Sequence, residues 1–197
     1  MTTTQRRGPG SRAGGNHPTR LELLNAATVL AERDGMDALT VAAITASAGH
    51  SKGTFYVHFE DRTSLIIELH RRFHDALFAS IADRTSDLAI GTDRAWLRIE
   101  AFLNGCRAQP AVRAMLLEAR SMPEIAQLVA ERNDQAARVL AAELREVSAQ
   151  PREAAVLLVS ATIEVALQEL TAGKRLPRYR AALHNLVPDT SDRGTPQ

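Results

Sequence analysis

The sequence predicts an all-α protein of about nine helices, on three observations. Apolar residues recur at the three- and four-residue steps of a helix along most of the chain, and no stretch shows the alternation of a strand. Helix formers such as Ala, Leu, Arg and Glu abound, while aromatic residues make up only 4%. The breaks between apolar stripes fall at Gly, Pro and capping residues, among them Gly35, Gly49, Pro123, Pro151 and Gly173.

Taken in order, residues 1–18 hold Arg6, Arg7 and Arg12 among glycines and prolines, with no acid. Such a composition cannot bury enough surface to order itself and reads as a flexible basic arm, either a solvated tail or a segment reaching phosphates or a minor groove. A first helix is expected from about Thr19 to Arg33, with Leu24, Ala27 and Ala31 on its stripe and Asp34-Gly35 as its stop. Thr40 suits the N-cap of a second, short helix carrying Val41, Ile44 and Ala48. Gly49 can take the left-handed backbone that ends it, and Ser51 can cap a third, with Phe55 and Phe59 on one face. Asp61 caps a long fourth helix bearing Leu65, Leu69, Phe73, Leu77 and Ile81, expected to reach about Leu88. Five more follow: Asp93 to Arg107, Pro110 to about Arg120, Pro123 to about Ala149, Pro151 to about Ala172, and a short one from Pro177. Residues 188–197 are polar and read as a disordered tail.

With 197 residues the chain can bury a real core, and 45% hydrophobic with 24% charged residues is ordinary for a globular protein. A formal net charge of +1 points away from nucleic-acid binding through bulk charge, so any DNA contact must come from a local patch. The single cysteine, Cys106, excludes an internal disulfide and suits a reducing compartment. The absence of a signal-like apolar core at the N-terminus and of an evident membrane-spanning run leads to the expectation of a cytoplasmic protein with no membrane partner.

Two short helices about a Gly turn, the second rich in hydrogen-bonding side chains and free of acids, describe a DNA-binding helix-turn-helix. On the second of them Lys52 can donate to guanine or to phosphate, and Thr54 can meet a thymine methyl or donate its hydroxyl. Gly53 allows close approach to a phosphate, Tyr56 and His58 carry donors that position the DNA backbone, and Thr40, Ser51 and Arg62 lie at helix N-termini that favour phosphate.

The order of these parts resembles the N-terminal domain of the TetR family of transcriptional repressors over residues 19–70. The residues that carry the likeness are Thr40, Ile44, Ala48-Gly49, Ser51-Lys-Gly-Thr54, Tyr56, His58-Phe59, Arg62 and Leu65. His50 stands where the family usually has an apolar residue, Thr45 where a small Ala is common, and Arg62 in place of the usual lysine. The remaining helices match only in number and length. The resemblance implies that they bind a small ligand and form a homodimer, with a helix-turn-helix domain at 19–64 and a ligand-binding and dimerisation domain at 65–187.

Outside the helix-turn-helix the candidates are fewer. His70 and His74 have the four-residue spacing of a metal-chelating pair, but no third ligand is evident and no metal or other cofactor is expected. Cys106 follows Phe102 and Leu103 on an apolar stripe and reads as a buried thiol rather than a redox sensor. There is no phosphate loop, nucleophile elbow or HExxH, so an enzyme is not expected. Phe73, Leu77, Trp96, Phe102, Met115, Leu128 and Leu140 are core by default and can instead line a cavity, into which Glu118, Asn133 and Glu164 would project polar groups. Since no cluster of Arg or Lys interrupts those faces, a small, mostly apolar effector is expected, with Trp96 as an aromatic wall. Val156, Val159, Ser160, Ile163, Leu167 and Leu170 offer a stripe for the dimer interface. The leading expectation is thus a homodimeric repressor released from a palindromic double-stranded operator by such an effector. The alternatives are a ligand-independent DNA-binding protein, and a helical small-molecule carrier or enzyme.

Overall fold

The computed structural model describes residues 17–110 and 122–187. Among these it contains eight α-helices: α1 (Pro18–Asp34), α2 (Val41–Ser47), α3 (Lys52–His58), α4 (Arg62–Arg84), α5 (Thr92–Ala108), α6 (Pro123–Glu143), α7 (Pro151–Thr171) and α8 (Pro177–His184). A single 3-10 turn at Met36–Ala38 joins α1 to α2. The basic arm through residue 16, the helix expected after Pro110 and the tail from 188 lie outside the described residues.

Helix starts follow the caps. Thr40 accepts from the Ala43 amide at 3.1 Å and Ser51 from the Thr54 amide at 3.1 Å, while Asp61 and Ser64 form a reciprocal capping box. Prolines stand in the first turns of α1, α6, α7 and α8, where no amide is needed. Two ends come earlier than the apolar pattern suggests. α4 stops at Arg84, where the Thr85 hydroxyl donates back to the Ile81 carbonyl at 2.8 Å. α6 stops at Glu143, and the amides of Val147 and Ser148 then both turn back to the Leu144 carbonyl. Val147 still packs on the core from that turn, which is why its spacing mimicked a longer helix.

Two apolar clusters result. In the first, Leu23, Leu24, Ile44, Phe55, Phe59 and Leu65 join α1–α4, and the cluster runs on along α4 through Phe73, Leu77 and Ile81 to Cys106 and Ile125. Burying a side chain such as Phe55 contributes about 1.5–3 kcal/mol, enough to hold two seven-residue helices that would not persist alone. The second cluster, with Ile99, Leu103, Leu140, Leu144, Leu158 and Leu183, joins α5 to α8. Gly105 marks the crossing of α5 on α4: a Cβ there would lie 2.2 Å from Leu77 Cδ1, so Leu77 fills the contact itself. By length and composition α7 is apolar enough to cross a membrane, contrary to the expectation that no run is. Its Leu158, Val159, Val165 and Ala166 are instead buried against neighbouring helices.

α8 is locked to this core by a buried ion pair. Arg180 donates from Nε to Glu169 Oε1 and from Nη2 to Oε2, both at 2.7 Å, and from Nη1 to Asn104 Oδ1 at 2.8 Å. The Leu176 amide donates to the same carboxylate at 3.0 Å. Burial alone would raise the Glu169 pKa, but the hydrogen bonds from Arg180 and the Leu176 amide outweigh it and hold the carboxyl below its usual range. That contribution is present at neutral pH and is lost only as pH falls through the lowered value. Glu169→Ala would leave a buried guanidinium without its carboxylate and should cost about 3–5 kcal/mol in denaturant unfolding, against much less for the exposed Glu164→Ala.

Candidate DNA-binding head and ligand cavity

The turn between α2 and α3 closes as a Schellman motif: the His50 amide donates to Thr45 O at 2.8 Å and the Gly49 amide to Ala46 O at 3.3 Å. Gly49 sits at φ 71° with open space where a Cβ would be, so it is the backbone conformation that calls for glycine. Thr45 is buried, and its hydroxyl returns to the Val41 and Ala42 carbonyls at 2.8 and 3.1 Å, so it occupies the place of a smaller residue without an unpaired polar group. The His50 imidazole, rather than packing the turn, lies 2.7 Å from Glu22 Oε2 on α1.

α3 buries Phe55 and turns Lys52, Gly53, Tyr56 and Val57 outward. Ser51 is exposed beside them, its hydroxyl 2.9 Å from that of the half-buried Thr54. A base contact by Thr54 can use its methyl group, or whichever hydroxyl site the bond with Ser51 leaves open. Thr40 is exposed at the start of α2. Arg62 faces inward instead: its Nη2 donates to the Met36 carbonyl at 2.6 Å, tying α4 to the turn after α1. Val57 went unremarked in the sequence because an apolar residue one step from the Phe55 stripe carries no polar signal.

The residue that sequence reasoning missed is Arg20. Its Nη1 donates to the His58 carbonyl at 2.7 Å, its Nη2 lies 3.2 Å from Glu68 Oε2, and its guanidinium sits 4.3 Å above the Phe59 ring. One cation thus joins α1, the end of α3 and α4. The His58 ring is half-buried and 4.9 Å from that of His17. Burial first, then the charges of His17, Arg20 and His50, push its pKa down.

A cavity of about 220 Å³ lies between α4, α5, α6 and α7. α4 contributes His74, Phe78 and Ile81, α5 contributes Arg98 and Phe102, and α6 and α7 close it with Asn133, Leu140, Val159 and Ile163. Of the expected pocket residues, Phe102, Asn133 and Leu140 are in the wall. Phe73 and Leu77 are buried in the first cluster, and Glu164 is exposed and accepts from Gln168 at 2.7 Å. Trp96 is not the aromatic wall: its ring meets that of His184 edge-on at 4.6 Å, in a shallow hollow beside α8. Met115 and Glu118 lie outside the described residues. Where the inward faces are expected to carry no cluster of Arg or Lys, two arginines, Arg98 and Arg132, line the cavity. A helical stripe shows which side of a helix turns inward, but not how far an arginine at its margin can reach back over it.

His70 and His74 stack ring on ring at 4.5 Å, and among the described residues no three His, Cys, Asp or Glu side chains gather as a metal site. Cys106 is buried in the first cluster. On the expected dimer stripe, Val156 and Ser160 are exposed, Leu167 and Leu170 half-buried, and Val159 and Ile163 turn to the cavity. Leu157, absent from that stripe, is 69% exposed.

The lowered His58 pKa makes the fold oppose protonation, so below about pH 6.5 the unfolded chain binds the extra proton and stability falls. Melting temperature should therefore decline between pH 7.5 and 5.5, and His58→Gln should flatten that decline; an unchanged pH profile in the variant would contradict the assignment.

Residues 23–69 match the family of bacterial regulatory proteins, tetR family. A transcriptional repressor of the HTH type from Rhodococcus jostii, KstR2, is 42% identical over 71 residues, 36% of this chain and 34% of that protein, so the match spans about a third of the relative's length. In fold, a transcriptional regulator from Rhodococcus sp. Rha1 superposes with a TM-score of 0.71 at 19% identity, over 85% of this chain and 93% of that one. The fatty acid degradation regulator FadR from Bacillus halodurans does so with a TM-score of 0.73 at 18% identity, over 90% and 96%. Residues 23–69 are thus similar to the DNA-binding domain of the bacterial regulatory proteins of the tetR family, and the chain as a whole shares the all-helical fold of these two solved structures.

Proposed function

We propose that the chain is a homodimeric transcriptional repressor that binds a palindromic operator through α2 and α3 and is released when a small molecule fills the cavity. The observation that carries this reading is the course of α4. Its first two turns are fastened by Arg62 to the turn after α1 and, through Glu68, by Arg20 to the end of α3, and its later turns supply His74, Phe78 and Ile81 to the cavity wall. A ligand that favours one placement of α4 would favour one spacing of the two recognition helices, which is a population shift between dimer geometries. The work of such a regulator is on chromosomal DNA, which places it in the cytoplasm.

The DNA contacts separate by kind. On operator fragments selected from the source genome, Lys52→Ala should lower affinity and reduce the salt slope by about one if Lys52 meets phosphate. Thr54→Ala should shift preference among operator variants by about 1–3 kcal/mol if Thr54 reads a base edge. Full affinity and unaltered preference in both folded variants would remove α3 as the reading element.

For the dimer, the outward face of α7 with Val156 and Leu157, continued by the exposed Tyr179 of α8, supports an interface built from the last two helices of each subunit. Leu157 is a cleaner probe than Ile163, which lines the cavity. Leu157→Arg should give monomers in sedimentation, because an unpaired charge in an apolar interface costs several kcal/mol, while the melting of the monomer itself changes little. A dimer of undiminished stability would place the interface elsewhere.

A further inference from the structure

We propose that the cavity between α4, α5, α6 and α7 takes a small monocarboxylate with an apolar body, and that Arg98 receives its carboxylate. The inference deepens the effector reading above, and rests on it only for what binding does to DNA.

The argument begins with Glu143, whose side chain is 1% exposed. It accepts from the Gly91 amide at 3.0 Å and from Arg94 Nε at 2.9 and 3.0 Å. Arg94 also donates from Nη1 to the Leu88 carbonyl at 2.9 Å, so two of its nitrogens are engaged in fixing the start of α5. Arg98 stands one turn further along α5, with Nε 3.3 Å from the same carboxylate. That is beyond the usual range for an N–H···O bond, and the carboxylate is already neutralised by Arg94. Two guanidiniums thus share one buried carboxylate, and among the described residues this leaves one positive charge in excess. Arg98 is the member of the set that lines the cavity, with its side chain only 18% exposed.

Arg132, the other arginine of the wall, does not add to this excess. It pairs with Asp75 and donates to Gln135 Oε1 at 3.2 Å. His74 also faces the cavity, with its ring stacked on His70. The remaining surface is dominated by Phe78, Ile99, Phe102, Leu140 and Val159. A cavity of about 220 Å³ is several times the ~30 Å³ that one water occupies in the liquid, so it has room for an organic molecule. A guanidinium withdrawn from water needs an anion at hydrogen-bond distance, and a carboxylate fits its planar fork. An amine would meet like charge. A polyanion would find one partner and a wall of side chains that cannot solvate the rest of its charge. The ligand that satisfies both the single charge and the apolar wall carries one carboxylate on an apolar body.

The test uses the full-length chain and matched probes: decanoic acid and 2-naphthylacetic acid, each with its primary amide, together with decylamine, by calorimetry and thermal shift. The acids should bind at least about tenfold more tightly than their amides, as expected for a charge-assisted hydrogen bond in place of a neutral one, and the amine should not bind. Arg98→Gln should erase the preference for acid over amide while leaving amide binding intact, and Arg98→Lys should restore part of it. Arg132→Gln should leave most of it. Glu143 keeps Arg94 and the Gly91 amide in the Arg98 variants; if Arg98→Gln nevertheless fails to fold, the wild-type comparison of acid with amide and the Arg98→Lys variant decide. Equal binding of acid and amide, preference for the amine, an acid preference that survives Arg98→Gln, or no binding by either acid would overturn the proposal. Operator release by the same compounds is read separately. Acids that bind without releasing DNA would overturn the effector reading and leave this one standing, while failure of both acids to bind, with neutral compounds binding and releasing DNA, would do the reverse.

Discussion

The orientation of α3 depends on one half-buried cation, Arg20. α3 has only seven residues, too few to be stable by itself, and its last carbonyls have no partner within the helix. Arg20 reaches from the first turn of α1 to take one of them, the His58 carbonyl, while its charge is met by Glu68 on α4 and its plane by the Phe59 ring. A neutral side chain there can supply apolar contact but not the charge-assisted bonds that fix α3 against two other helices at once. Because Arg20 and Arg62 both bind groups inside the domain, the exposed side chains around α2 and α3 that the proposed DNA contact could use are Thr40, Ser51, Lys52, Tyr56 and Val57, with the backbone of Gly53.

α4 turns that local fixation into a long-range one. Its 23 residues run from the capping box at Asp61 to the end of the cavity wall, with apolar residues of both halves in a single cluster. On the proposed function, a shift at His74 or Phe78 would be carried along this packed helix to Arg62. Leu77 is the residue that holds the middle of this rod, pressed against Gly105 where α5 crosses. Its contact is steric, and it stands outside the cavity wall.

The C-terminal helices are organised by two buried carboxylates. Glu169 fixes α8 through Arg180 and the Leu176 amide, a closed set in which every charge has its partner. Glu143 fixes the start of α5 through Gly91 and Arg94, and there the charges do not balance, since Arg98 is also drawn to it. The contrast between the closed pair and the open one distinguishes a structural ion pair from a cavity with a chemical preference. Buried ion pairs of either kind add little net stability, but they exclude alternative packings in which a charge would be stranded.

Much of this was legible in the chain itself. The all-α class, the order of helices and the caps at Thr40, Ser51 and Asp61 follow from local rules, because a cap and a 3.6-residue stripe act within a few residues of themselves. The glycine at 49 and the exposed polar residues of α3 are local for the same reason. What tertiary structure decided were the pairings across distance. Arg20 and His58 are 38 residues apart, Arg94 and Glu143 49, Arg180 and Asn104 76. No periodicity in a single helix announces which distant carboxylate or carbonyl a given arginine will meet, since twenty-odd Arg and Lys residues are available and most remain on the surface. The placement of Trp96 beside His184, of Ile163 at the cavity and of Arg98 within its wall depends on the rotation of each helix about its own axis. That rotation is set by how neighbouring side chains interlock, and so it exists only once the helices are packed together.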